Sequence, residues 1–90
     1  MPPPSIESLE KLLGTPRDGA LLRYSLGMEF LRMNDTGKAI GYLRDSVTKD
    51  PGYSAAWRSL GKALEGADRA TEALEAYRSG IAAAQKKGDK

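Results

Sequence analysis

Apolar residues return along this chain at the three- and four-residue steps of an α-helix, and clusters of turn-forming residues cut the pattern into five pieces. Ile6, Leu9, Leu12 and Leu13 share one face behind Ser5, which is placed to cap the helix start, and Gly14-Thr15-Pro16 stops that segment. A second helix is predicted over residues 20–33. Leu22, Leu26, Phe30 and Met33 form its main stripe, while Leu21, Tyr24, Met28 and Leu31 extend the apolar surface, so this helix is expected to be covered on more than one side. After a turn at Asn34-Asp35-Thr36-Gly37, residues 38–49 continue the helical period through Ala39, Ile40, Leu43 and Val47. Asp50-Pro51-Gly52 breaks it, because proline restricts the residue before it and cannot extend the hydrogen-bond ladder. Ser54 is expected to cap a fourth helix over residues 55–65, with Trp57, Leu60 and Leu64 on its stripe and Trp57 as a buried ring between helices. Past Gly66-Ala67-Asp68, a fifth helix starts near Arg69 and carries Ala70, Ala73, Leu74, Tyr77 and Ile81.

The second and third segments overlay the fourth and fifth at a constant offset of 34 residues. Leu26-Gly27 falls on Leu60-Gly61, Phe30 on Leu64, Ala39 on Ala73, Ile40 on Leu74, Leu43 on Tyr77 and Val47 on Ile81. A glycine after the leucine lets two antiparallel helices approach closely, the alanine keeps the partner helix near, and the large residues fill the space around the contact. With Asp50-Pro51 closing the first copy, these residues resemble the tetratricopeptide repeat (TPR) family, whose period is about 34 residues. The resemblance covers residues 20–85 and implies an all-α fold of antiparallel helix pairs forming a short right-handed solenoid.

Some positions depart from the family pattern. Arg23 stands where the second copy has Trp57, Ser46 and Gly80 replace a late alanine, and Gln85 replaces the closing proline. Two repeats are fewer than the roughly three that usually stack into a stable array, so the helix over residues 5–14 is expected to cover the first repeat. The expected organisation is a flexible proline-rich start at residues 1–4 and one domain over residues 5–85, with repeats at 20–53 and 54–85. Residues 86–90 are either a flexible tail or the boundary of a longer chain.

Composition narrows the chemistry. The 90 residues contain no cysteine and no histidine, which excludes disulfides, thiolate chemistry and imidazole ligands or bases. Fourteen Lys and Arg against twelve Asp and Glu leave a net charge of only +2, with the signs interspersed, so nucleic acid is not an expected partner. No apolar run approaches membrane-spanning length and the N-terminus lacks a secretory pattern, so the cytoplasm is the expected location. Asp35, Asp45, Glu65 and Asp68 are the carboxylates from which an enzyme or metal site would have to be built, but their spacing matches no ligand pattern. No cofactor, metal or catalytic residue is expected.

The resemblance implies a non-catalytic module that receives a peptide or partner element in a concave groove lined by the first helix of each pair. On that template the groove residues are Leu21, Tyr24, Met28, Leu31 and Arg32, then Ala55, Arg58, Lys62 and Glu65. Tyr24, Met28, Arg32, Arg58, Lys62 and Glu65 are the candidate partner-binding set. Tyr24 and Met28 suit an apolar side chain, while Arg58 and Lys62, four residues apart on one face, suit a carboxylate. The expected partner is therefore a protein or peptide with acidic and apolar character. Members of the family that clamp chaperone-tail carboxylates use lysines and asparagines for which this chain has Tyr24, Met28 and Ser59, so that ligand is not expected. For each groove residue packing or solvation is the competing role, Leu21 and Leu31 above all as a dock for the N-terminal helix. The chain is expected to be monomeric; the alternative is a structural or self-association module within a longer protein or assembly.

Overall fold

The computed structural model describes residues 5–87; the expectations for residues 1–4 and 88–90 lie outside them. Among the described residues five helices follow one another: α1 (Ile6–Glu10), α2 (Ala20–Arg32), α3 (Thr36–Lys49), α4 (Ser54–Gly66) and α5 (Ala70–Lys86). There is no strand among the described residues. α2 pairs with α3 and α4 with α5, α3 packs against α4 to join the two pairs, and α1 lies on α2.

Both hairpins turn in the same way, and the 34-residue register extends to their backbone hydrogen bonds. Asn34 and Asp68 adopt left-handed φ values of 62° and 60°. Around Asn34, the Asp35 amide donates to the Phe30 carbonyl at 2.9 Å and the Asn34 amide to Leu31 at 3.0 Å. Around Asp68, Arg69 donates to Leu64 at 2.9 Å and Asp68 to Glu65 at 3.0 Å. This is the Schellman arrangement, which satisfies the last carbonyls of a helix. Asparagine and aspartate tolerate the left-handed conformation better than other non-glycine residues, so Gly37 and Gly66 are left inside helices rather than in the turns. Asp35 then caps α3, its carboxylate accepting from the Lys38 amide at 3.3 Å.

The core runs through both pairs as one cluster, with Leu26 and Leu43 fully buried at the α2–α3 contact and Ala56, Leu60 and Leu64 of α4 continuing it. The repeated glycines sit where the spacing required. A Cβ on Gly27 would stand 2.6 Å from Leu43 Cγ, and one on Gly61 would stand 2.7 Å from the Tyr77 ring. The late small residues do similar work: Ser46 is buried and its hydroxyl donates to the Ala20 carbonyl at 2.8 Å, while a Cβ at Gly80 would approach Trp57 Cβ to 3.0 Å. Arg23, lacking the aromatic body of its counterpart Trp57, is an electrostatic tie. It donates to both Asp18 oxygens (3.0 and 2.9 Å) and to Asp45 (2.9 Å), binding the loop before α2 to α2 and α3.

Several local expectations are corrected. α1 is a single short helix ending at Glu10, with turns carrying Leu12 and Leu13 onto the core. Ser54 is the first residue of α4 and makes no capping bond, because Tyr53 occupies the capping position and its carbonyl accepts from Trp57. Met33 is exposed, since α2 stops at Arg32. Trp57 is half-buried rather than enclosed: its ring lines an open cleft of about 330 Å³ between α3 and α5, and its Nε1–H donates to the Pro51 carbonyl at 2.8 Å. Leu74 and Ile81 are exposed where inward packing was expected, because no further element of the described chain covers that side of α5. Lys86 still belongs to α5.

Candidate functional site

The first helices of the two pairs, α2 and α4, present the candidate residues. On α2, Leu21 is 67% exposed and Met28 37%, so the described part of α1 leaves both uncovered and the docking role expected for Leu21 is not the one it has. Leu31 is half-buried against the core. Tyr24 is also half-buried, its ring tilted against Tyr53 with centroids 5.0 Å apart. Arg32 is exposed at the end of α2 and forks onto Glu29 through bonds of 3.3 and 2.8 Å, so its charge is engaged on its own helix.

On α4, Ala55 is half-buried, and Arg58 and Lys62 point outward from one face. Together with Ser54 they form one wall of an open cleft of about 510 Å³, whose other wall is Tyr77, Gly80, Ile81 and Ala84 of α5. Tyr24 and Met28 do not line this cleft. Glu65, the last of the candidates, accepts a hydrogen bond from the Tyr77 hydroxyl. That bond and partial burial raise the Tyr77 pKa above its ordinary value. The pairing of the two cations was legible from their four-residue spacing. Their α5 wall was missed, although the 34-residue register contained the signal: Ile81 is the counterpart of a residue that a following helix covers.

The carboxylates weighed as a chemical site are dispersed into local duties. Asp35 caps α3, Asp45 pairs with Arg23, Glu65 meets Tyr77, and Asp68 forms the second turn. Among the described residues no group of three or more Asp, Glu, His or Cys side chains is placed to hold one metal ion. No described helix is long and apolar enough to cross a membrane.

Two stacked helix pairs that share one core define a helical-repeat scaffold. The tetratricopeptide repeat family profile matches residues 24–87. A TPR repeat-containing protein of Pseudomonas aeruginosa, PA0015, is 44% identical over 85 residues, covering 94% of this chain and 81% of that protein. The chain belongs to the tetratricopeptide repeat family. Among solved structures it resembles the crystal structure of MamA, with a TM-score of 0.86 and 26% identity over 94% of this chain; it spans only 50% of the MamA chain. The solution structure of BPP2914 from Bordetella parapertussis gives a TM-score of 0.78 at 38% identity, covering 99% of this chain and 77% of that one.

Proposed function

We propose that this protein is a non-catalytic interaction module that holds a peptide or partner segment along the side of the solenoid formed by α2 and α4. The observation that carries the reading is the change of character between equivalent positions. Tyr24 and Met28 of α2 correspond to Arg58 and Lys62 of α4, so one edge of this surface is apolar, with exposed Leu21 and Met28, and the next is cationic. A segment with an apolar residue followed by a carboxylate fits that order. Removing Leu21 and Met28 from water supplies affinity, while the cations orient the ligand and speed its encounter. Arg32 contributes less because Glu29 already holds it, and Glu65 disfavours a second carboxylate near the end of α4.

The test is a partner captured from the source cell and then titrated into isotope-labelled protein. Amide shifts at Leu21, Tyr24, Met28, Arg58 and Lys62 are expected, and a folded Arg58→Ala/Lys62→Ala double variant should bind roughly three- to tenfold more weakly. Shifts confined to α3 and the far side of α5, or unchanged affinity in the double variant, would refute the groove reading.

A further inference from the structure

The constant register lets the two repeats be compared face by face. On α3, Ile40 and Val47 are only 7% and 6% exposed, inside the core that α3 shares with Leu60 and Leu64 of α4. Their counterparts on α5, Leu74 and Ile81, are 50% and 60% exposed. With Tyr77 between them and Ala84 beyond, they form a stripe spaced three, four and three residues apart along one side of α5. The stripe that a helix covers in the first repeat is therefore present again in the second, and open.

Charge distinguishes the two surfaces. Where the first repeat has Tyr24 and Met28, the second sets Arg58 and Lys62 beside Tyr77, Ile81 and Ala84 in the 510 Å³ cleft. Arg78, exposed and placed between Leu74 and Ile81 in helical spacing, borders the stripe from the other side. Arg23, Arg32, Arg44 and Arg69 each have a carboxylate in salt-bridge range, whereas among the described residues Arg58, Lys62 and Arg78 have none; Arg17 and the other described lysines also lack one, but only these three flank the open stripe of α5.

We propose that this face of α4 and α5 receives an amphipathic α-helix of a partner protein, with acidic residues flanking its apolar stripe. The helical form of the occupant follows from what α4 does on the equivalent face of α3. Its acidity follows from the three unpartnered cations. A second copy meeting this face through its own α5 would set two groups of Arg58, Lys62 and Arg78 against each other, a like-charge encounter that opposes self-pairing. The site adjoins the α2–α4 groove at Arg58 and Lys62 and extends from there onto α5, away from Tyr24 and Met28.

The experiment uses the 90-residue chain and a synthetic helical peptide of about 18 residues, with Leu and Ala along one face and Glu on its flanks. A twin peptide carries Lys at every Glu position. The acidic peptide is expected to shift the amides of Arg58, Lys62, Leu74, Tyr77 and Ile81 and to bind roughly tenfold more tightly than its twin. Ile81→Glu, at an exposed position and therefore expected to keep the helical circular dichroism, should weaken binding at least about tenfold by placing a charge in the apolar contact. Arg58→Glu/Lys62→Glu should reverse the order of the two peptides. Met33→Glu, exposed at the first turn, is the control expected to change nothing. The proposal is overturned if neither peptide binds, if the twins bind equally, or if the shifts fall on Leu21, Tyr24 and Met28 instead, which would leave the groove reading standing alone. It is also overturned if sedimentation shows a dimer that Ile81→Glu dissociates and the acidic peptide does not.

Discussion

Leu43 has no exposed surface, so a methyl group added at Gly27, 2.6 Å from Leu43 Cγ, meets a side chain with nowhere to retreat. Gly27→Ala is expected to destabilise the protein by about 1–3 kcal/mol through overpacking, even though alanine in a helix interior is favoured over glycine by roughly 1 kcal/mol. At Gly61 the obstacle is the ring of half-buried Tyr77, which can swing outward if it gives up its bond to Glu65. Gly61→Ala should therefore cost less, and urea midpoints of the two variants measured side by side would show the order. Trp57→Ala should cost about 2–3 kcal/mol, below the range for an enclosed ring, because the indole already faces the cleft between α3 and α5. A loss above about 4 kcal/mol would mean that the cleft closes over the ring in solution.

Between residues and fold, the helices differ in how their ends are secured. α3 has a side-chain cap in Asp35, whereas α4 has none, although Ser54 has the residue type that suggested one. Asp35→Ala is expected to lower stability by about 1 kcal/mol, and Ser54→Ala to change it by less than about 0.5 kcal/mol, again by urea unfolding. The reverse order would place the cap of α4 at Ser54. The difference arises from the turn before α4. Asp50-Pro51-Gly52, tied by the Gly52 amide to the Asp50 carboxylate at 3.0 Å, delivers Tyr53 to the capping position and carries Ser54 one residue into the helix. A short polar residue before an apolar stripe signals a helix start to within a residue or two, and only the preceding turn decides which residue caps.

Across the whole molecule, ionisable groups bound the pH range of stability from both sides. The Arg23 guanidinium and the Gly14 amide hold Asp18's carboxyl far below its ordinary value, and Arg69 followed by Arg44 lowers Glu72. Groups depressed on folding stabilise the fold above their unfolded values, and that contribution fades as pH falls below about 4. The tyrosines act in the opposite sense. Burial raises Tyr53; burial and then Glu10 raise Tyr42, whose hydroxyl donates to Glu10 at 3.3 Å; and Glu65 raises Tyr77. Groups raised on folding stabilise below their unfolded values, so that contribution is lost as pH rises beyond about 10. Stability measured by urea unfolding should form a plateau between these limits, and Asp18→Asn should lower the plateau and flatten its acid edge. An unchanged acid edge in Asp18→Asn would remove the Asp18–Arg23 pair from the account.

The order of five helices, the 34-residue register and the contacts of Gly27 with Leu43 and Gly61 with Tyr77 were all legible in the sequence, because each rests on local spacing and on the size of two side chains. The family membership follows from the same residues. Which apolar stripes are covered was decided only by the tertiary structure. Leu74 and Ile81 repeat the pattern of Ile40 and Val47 residue for residue, yet one pair is open and the other buried, since burial depends on whether another helix stands opposite. Leu21 and Trp57 carry the same lesson: period and residue type say that a side chain is apolar and on which face it lies, while the neighbour that removes it from water is set by packing between distant segments. For the candidate site, the spacing of Arg58 and Lys62 put two cations on one face, and the docking of α5 turned that face into a cleft walled by Tyr77, Ile81 and Ala84.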